Sequence, residues 1–276
     1  MNILITGADH GIGKYLTSSL KSEHKIYDFS MDNLDVTKKS AVLDIIANIS
    51  PNIVIHAESM DNIDSCEANE TDAYTINTIG TLNVAHACSL LNIPIFYMST
   101  SSVYGDSKNT PYYETDECNP VNVYGKTKLA GEKLIRTVCS KFFILRIGWL
   151  FGDEDCFVKK IIKNKNIPVF VCSDEIGNPT YIEDLSNCIN VMMNSNLYGI
   201  YNCASPHPIT KSHWVQGILN NSGVEKSVLE LPQNFLSLKA QRPKYSAVST
   251  IMLKNCFNLE LPNWEESLKK YMELIK

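Results

Sequence analysis

The sequence predicts a doubly wound parallel α/β sheet with a small, mostly helical C-terminal lobe. Three observations predict it. Five short runs rich in Ile, Val and Phe show little polar alternation, the pattern of parallel strands covered on both faces. Helical patterns separate these runs, which implies right-handed strand–helix–strand crossovers. A glycine-rich loop follows the first run and opens the first helix.

The strands are expected at 2–6, 24–29, 52–57, 94–99 and 142–147, and the helices near 11–22, 37–49, 69–91 and 122–140. Thr37 is placed to cap the second helix. Beyond residue 150 the rhythm loosens into a helix near 156–164, a strand at 168–172 and a helix at 181–194, part of which is read as completing the sheet. Residues 204–276 read as short helices and loops. The division expected is therefore 1–150, together with part of 168–203, as a dinucleotide-binding (Rossmann-type) unit. Residues 151–276 form an interleaved substrate lobe lying over the strand ends, where open α/β sheets take ligands.

Composition narrows the function. At 276 residues, 44% hydrophobic and 20% charged, the chain has the makeup of an ordinary globular protein. Its net charge of −5 argues against nucleic-acid binding, which calls for a basic face. The nine cysteines form no C-x-x-C and pair with no zinc-type histidine spacing, so no metal site is expected; unpaired thiols suit a reducing compartment. The chain starts directly on a strand, and no apolar run approaches the ~20 residues that span a bilayer. The expectation is a cytoplasmic protein with no membrane partner.

The loop Thr6-Gly7-Ala8-Asp9-His10-Gly11-Ile12-Gly13 is the first chemical signal. Glycines permit a tight turn and a close approach of backbone N–H groups to a pyrophosphate seated on the helix N-terminus. Gly7, His10, Gly11, Ile12 and Gly13 are thus cofactor candidates. An acid ending the second strand would bond ribose hydroxyls and repel a 2′-phosphate. Ser30 is counted at that position, with Asp28 two residues early, which favours NADPH and leaves NADH as the alternative. Asp35 is a candidate for the adenine amine or for a local helix-capping role.

The second signal is the pair Tyr124 and Lys128 in Asn122-Val123-Tyr124-Gly125-Lys126-Thr127-Lys128. Four apart on a helix, they share one face. A phenol needs a neighbouring cation to exchange protons easily near neutral pH, and Lys128 is expected to supply it. Such a spacing alone is common. Its weight comes from Thr100-Ser101-Ser102, which ends the fourth strand in hydroxyls 24 residues earlier. Thr100 and Tyr124 converging on one carbonyl oxygen give the hydrogen-bonding pair that carbonyl reduction needs.

Taken together these segments resemble the extended short-chain dehydrogenase/reductases, and within them the dTDP-4-dehydrorhamnose reductase family. The resemblance runs nearly end to end and includes Thr75-Ile76-Asn77-Thr78, Arg146-Ile147-Gly148-Trp149-Leu150-Phe151-Gly152 and Asp174-Glu175-Ile176-Gly177-Asn178-Pro179-Thr180-Tyr181. It continues through Arg242-Pro243-Lys244-Tyr245-Ser246 and Leu261-Pro262-Asn263-Trp264-Glu265. It implies hydride transfer from a nicotinamide to C4 of a nucleoside-diphosphate 4-keto-6-deoxy sugar. In that role Tyr124 protonates the oxygen, Lys128 assists and holds cofactor ribose, and Thr100 orients the carbonyl. Asn77 would belong to the cofactor site. Ser101, Ser102 and Trp149 would line the sugar pocket, and Arg242 would pair with the nucleotide side. The family implies a monomer or homodimer.

The chain departs from the family's pattern at four places. His10 stands for the middle glycine of the loop, with Gly11 displaced by one. After the strand at 52–57 an Ala-Ala-Tyr-Thr run is Glu58-Ser59-Met60-Asp61, which adds two carboxylates near the cofactor. After Thr100, Asp-Tyr becomes Ser101-Ser102; a Gly-Asn-Asn-Phe becomes Glu154-Asp155-Cys156-Phe157. A 4,6-dehydratase would need an acid and a base where Ser101 and Ser102 stand. The remaining alternatives are a reductase of UDP-4-keto-6-deoxy-N-acetylhexosamines, a sugar-nucleotide 4-epimerase, and a non-catalytic NADP-binding regulatory subunit.

Overall fold

A computed structural model describes residues 1–163 and 167–275. The first five strands are β1 (Asn2–Thr6), β2 (Lys25–Phe29), β3 (Ile53–His56), β4 (Ile95–Thr100) and β5 (Phe142–Ile147). They are joined by β10 (Gly199–Cys203) in one six-stranded parallel sheet of order β10-β5-β4-β3-β1-β2. The chain winds outward from β1 to β2 and then crosses to β3 on the other side. That reversal opens a crevice between the C-terminal ends of β1 and β3, where doubly wound sheets bind ligands.

The absence of alternation in the strands has a direct cause. Ile3, Ile5, Ile53, Ile55, Phe96, Phe143 and Leu145 enter one core beneath α1 (Gly11–Leu20) and α8 (Ile182–Met192). Their neighbours Leu4, Val54, Ile95, Tyr97 and Ile144 enter the other. That second core lies beneath α2 (Lys39–Ile49), α5 (Thr81–Leu90) and α6 (Val123–Val138). Both faces are buried, so both parities are apolar.

Several expectations need correction. The helix expected at 69–91 is α4 (Glu70–Tyr74), a π-helical turn at Thr75–Gly80, and α5; a further helix, α3 (Ile63–Ala68), precedes it. Asn62 caps α3 by accepting from the Ser65 N–H at 2.8 Å. In the π turn Gly80 sits so close to Val36 that a Cβ there would lie 2.6 Å from the valine Cγ2. Thr37 does not cap α2: Lys38 holds that position, and the Thr37 hydroxyl donates instead to Asp35 Oδ1 at 2.6 Å. The strand expected at 168–172 is β7 (Val169–Cys172), which pairs with β12 (Val228–Leu231) outside the main sheet. The helix expected at 156–164 is α7 (Phe157–Lys163); its last expected residue, Asn164, lies outside the described residues, as does Lys276.

The remaining elements build the lobe over the strand ends. β6 (Trp149–Phe151) pairs with β9 (Pro179–Tyr181), and β8 (Ile176–Gly177) with β11 (Ile209–Thr210). The helices α9 (Lys211–Ser222), α10 (Ile251–Phe257) and α11 (Trp264–Leu274) complete it. Among the described residues no helix is long and apolar enough to cross a membrane. All nine cysteines are free thiols, seven of them buried.

One buried polar network ties the sheet to α6. Arg146 on β5 donates through Nε to both Glu132 oxygens at 3.1 and 3.2 Å, and through Nη2 to Oε2 at 2.7 Å. Its Nη1 reaches the Tyr104 hydroxyl, and Ser99 donates to Glu132 Oε1 at 2.5 Å. Removing one partner strands the other's charge. Glu132→Ala is expected to cost about 3–5 kcal/mol in urea unfolding. A loss below about 1 kcal/mol would contradict the reading of this pair as a buried, mutually dependent unit.

Candidate active site

The crevice between β1 and β3 opens into a cleft of about 1040 Å³. That is slightly above the ~300–1,000 Å³ usual for small-ligand sites. Its walls come from the glycine loop, the segments after β3, β4 and β5, and the C-terminal lobe.

The glycine loop is built as a cradle. Gly7 has φ +69°, and a Cβ there would lie 2.6 Å from the Glu58 nitrogen. A Cβ on Gly13 would lie 2.0 Å from the Gly7 carbonyl oxygen. Gly11 has φ +47°, and with His10 and Ile12 it lines the cleft. The N-terminus of α1 carries no side-chain cap, so its N–H groups are left for an anion. The residues therefore fit a dinucleotide: close backbone packing, an uncapped helix end and a long cleft.

Strand register settles which residue faces this loop from β2. Thr6 pairs with Phe29, and the Ala8 N–H donates to the Phe29 carbonyl at 3.0 Å. Ser30 is thus the residue beside Gly7, whereas Asp28 pairs with Ile5. Ser30 also starts a turn, its N–H donating to Asn33 Oδ1 at 2.8 Å. No acid stands at the position that would repel a 2′-phosphate. Asp35 is held locally, accepting from the Thr37 N–H and hydroxyl. Neither Ser30 nor Asp35 is among the cleft-lining residues.

Asn77 lies behind the cleft wall. Its side chain is fully buried and its bonds are spent within the protein. Oδ1 accepts from the Met60 N–H at 2.7 Å, while Nδ2 donates to the Met60 carbonyl and to Thr127 Oγ1, each at 3.0 Å. Thr127 in turn donates to the Tyr124 carbonyl at 2.8 Å. Asn77 fixes the loop after β3 against the start of α6.

The structure brings together Thr100, Ser101, Ser102 and Tyr124 on the cleft wall. Thr100 ends β4 opposite Ile147, so Gly148 and Trp149 leave β5 beside Ser101 and Ser102. Thr100 Oγ1 accepts from the Ser102 N–H at 3.2 Å. Asn122 starts α6, its Oδ1 accepting from the Gly125 N–H at 2.8 Å. Gly125 lets the helix pass Ser102: a Cβ would lie 2.6 Å from the Ser102 carbonyl oxygen.

The electrostatics differ from the expectation for Tyr124. Burial pushes its phenol well above the ordinary range, the Asp61 carboxylate raises it further, and a hydrogen bond with Thr100 opposes them. Lys128 does not lower it. The buried ammonium lies over the Tyr97 ring, 4.2 Å from the centroid. Burial pulls Lys128 down to about 8, against the carboxylates of Asp61 and Glu132, which hold it up. A phenol raised in this way is protonated at neutral pH, the state a general acid requires. The shift fixes the resting state as the neutral phenol.

Trp149 lines the cleft with Gly177 packed against its indole, a Cβ there lying 2.4 Å from Cε2. The Lys211 ammonium sits 3.9 Å from the ring centroid. Arg242 also lines the cleft but is already paired: Nη1 and Nη2 donate to Asp64 Oδ1 and Oδ2 at 3.0 and 2.8 Å. Asp64 accepts in addition from the Lys239 and Ala240 N–H groups, and the Arg242 bond leads the causes that hold its carboxyl down at about 2. This one carboxylate clasps the 239–242 strap to α3. Asp64→Asn is expected to loosen Arg242 and the 239–242 strap and to cost about 1.5–3 kcal/mol in urea unfolding, the range for hydrogen bonds to a charged group.

Sequence reasoning missed three features of the cleft. Asp153 adds a carboxylate to its walls opposite the expected Asp61, and Tyr271 and Ile275 reach it from the C-terminal helix and its end. Lys14 crosses to Glu154 at 2.7 Å, joining α1 to the segment after β6. No spacing signals them: Lys14 and Glu154 stand 140 residues apart, and the other walls come from segments remote from the glycine loop. Among the described residues no cluster of three or more His, Cys, Asp or Glu side chains is placed to hold a metal ion.

The model of the RmlD substrate binding domain family matches residues 1–276. A dTDP-4-dehydrorhamnose reductase of Aggregatibacter actinomycetemcomitans is 29% identical over 286 residues, covering 97% of each chain. Among solved structures, a dTDP-4-dehydrorhamnose reductase from Bacillus anthracis in complex with NADP superposes with a TM-score of 0.95. It is 34% identical and covers 99% of each chain. A dTDP-4-dehydrorhamnose reductase ortholog from Clostridium acetobutylicum gives 0.96 at 32% identity, over 100% of this chain and 99% of that one.

Proposed function

The chain belongs to the RmlD substrate binding domain family, and from that premise we propose that it reduces the C4 keto group of dTDP-4-dehydrorhamnose with NADPH. It is an NAD(P)-dependent oxidoreductase with a sugar-nucleotide substrate. The observation that carries the finer reading is the meeting of Thr100 and a protonated Tyr124 on the cleft wall, next to a glycine cradle whose β2 neighbour is Ser30.

In this reading residues 1–150 with β10 hold the dinucleotide, and the interleaved lobe 151–276 holds the sugar. Gly7, Gly11, Ile12 and Gly13 shape the diphosphate seat, and Ser30 stands beside it. The bound nicotinamide supplies the hydride. The chain's own residues do the rest. Thr100 donates a hydrogen bond to the keto oxygen and keeps it within reach of the Tyr124 hydroxyl. As charge grows on that oxygen, Tyr124 transfers its proton to it. Lys128, one turn further along α6, holds cofactor ribose. Ser101, Ser102 and Trp149 bound the sugar, and Arg242, oriented by Asp64, faces the nucleotide side.

Oxidation of NADPH with a panel of 4-keto sugar nucleotides tests this reading. Turnover with dTDP-4-dehydrorhamnose above that with UDP-4-keto-6-deoxy-N-acetylhexosamines is the expected result. Cofactor binding with no turnover on any member would overturn the enzymatic assignment.

A further inference from the structure

One buried ionisable group beside the glycine loop takes no part in the mechanism above. Glu58 directly follows Ala57 after β3, at the reversal of strand order, and its backbone packs against Gly7. The residue is 5% exposed, and its Oε2 is buried without a hydrogen-bond partner. A buried carboxylate oxygen with nothing to accept from is costly. Its neighbours Ala57 and Ser59 both line the cleft.

The charges around Glu58 are few and come from three elements. The glycine loop contributes His10 and Asp9, its own loop contributes Asp61 and the Ser59 N–H, and α6 contributes Lys128. Burial raises the Glu58 pKa; the attraction of His10 opposes this, and Asp9 and Asp61 add to it. His10 is linked in the opposite sense. Burial lowers its proton affinity, but its bond to Asp9 at 3.0 Å and the charges of Glu58, Asp9 and Asp61 outweigh burial and raise it. In the cofactor reading a diphosphate would bring further negative charge to the uncapped N-terminus of α1.

We infer that Glu58 is a proton-linked residue of the cofactor site, its buried carboxyl taking up a proton when an anionic dinucleotide seats on the glycine loop. The inference rests on the cofactor reading given above. Its sign follows from electrostatics. An added anion favours the neutral acid over the carboxylate, so the bound form holds more protons than the free form. Affinity therefore strengthens as pH falls between the free and bound pKa values of Glu58. Glu58 itself lies behind the cleft wall that Ala57 and Ser59 form, so it acts through charge and not through contact.

The test is the Kd of NADPH for the full chain from pH 6 to 8.5, read by nicotinamide fluorescence, for the wild type, Glu58→Gln and His10→Asn. The wild type is expected to bind more tightly at low pH, approaching about tenfold per pH unit where one proton is taken up. Glu58→Gln is expected to flatten this slope and to bind at least as tightly as the wild type at pH 8.5. His10→Asn is expected to retain most of it. A wild-type slope preserved in Glu58→Gln, or one that vanishes only in His10→Asn, overturns the inference. Thermal unfolding of Glu58→Gln separates misfolding from lost linkage. Failure of every form to bind NADPH at any pH would instead remove the cofactor reading.

Discussion

Tyr124→Phe is expected to lower kcat by about 10²–10⁴-fold, the usual contribution of a positioned general acid, with NADPH affinity nearly unchanged. The substitution removes one hydroxyl and keeps the ring. That ring packs beside Met60 and Tyr74 against Cys66, Ala73 and Val123, a cluster that phenylalanine fills equally well. The effect should therefore appear in kcat and not in stability. The pH profile carries a further signature. With the phenol pushed up by burial and by Asp61, the wild type keeps its acid form through neutral pH, and reduction falls only on the alkaline side. Steady-state rates, together with an unfolding midpoint near that of the wild type, would check both points. Full activity in Tyr124→Phe would refute the proposed acid.

Gly13→Ala is expected to weaken NADPH binding by at least about tenfold and to destabilise the fold by about 1–3 kcal/mol, the range for forcing a methyl group into packed surroundings. The added Cβ would meet the Gly7 oxygen at 2.0 Å, the Gly7 carbonyl carbon at 2.7 Å and Ala57 Cβ at 3.3 Å. The two nearest atoms are backbone of the same loop, so relief comes only from moving the diphosphate seat itself. Gly199→Ala is the matched control. The nearest atoms to a Cβ there belong to the Tyr201 side chain, at 3.6 Å and beyond, ordinary van der Waals contact, and both affinity and stability should stay near wild type. Fluorescence titration with NADPH and urea unfolding of both variants separate the cradle effect from the general cost of losing a glycine.

The elements that sequence predicted best are those whose signal is local. The runs at 2–6 and 142–147 became β1 and β5 with the same bounds, because every residue in them is apolar or near a strand end. The same holds for the glycine loop, where spacing alone encodes the turn and the helix start. What sequence could not supply are facts about the opposite wall. The strand at 168–172 was recognisable, but its partner lies near residue 230 and no periodicity names it. Arg242 was identified without Asp64, its partner across 178 positions.

The helix at 69–91 is interrupted by a π turn that ends at Gly80, packed against Val36 of a distant segment, a contact no local pattern names. Asn77 was placed at the right junction, but its role depends on three bonds to Met60 and Thr127 that only the fold creates. The pair Tyr124 and Lys128 was legible as a spacing. Their protonation was not, since burial, Asp61 and the Tyr97 ring govern it, and none of these lies within the motif.

Isotope transfer tests the central claim most directly. With NADPH dideuterated at C4 of the nicotinamide and dTDP-4-dehydrorhamnose as substrate, the wild type is expected to yield one deuterium at C4 of the hexose per NADPH consumed. Tyr124→Phe should yield almost none in the same time. NADPH consumed without label in the sugar, or label found at a carbon other than C4, would contradict the account.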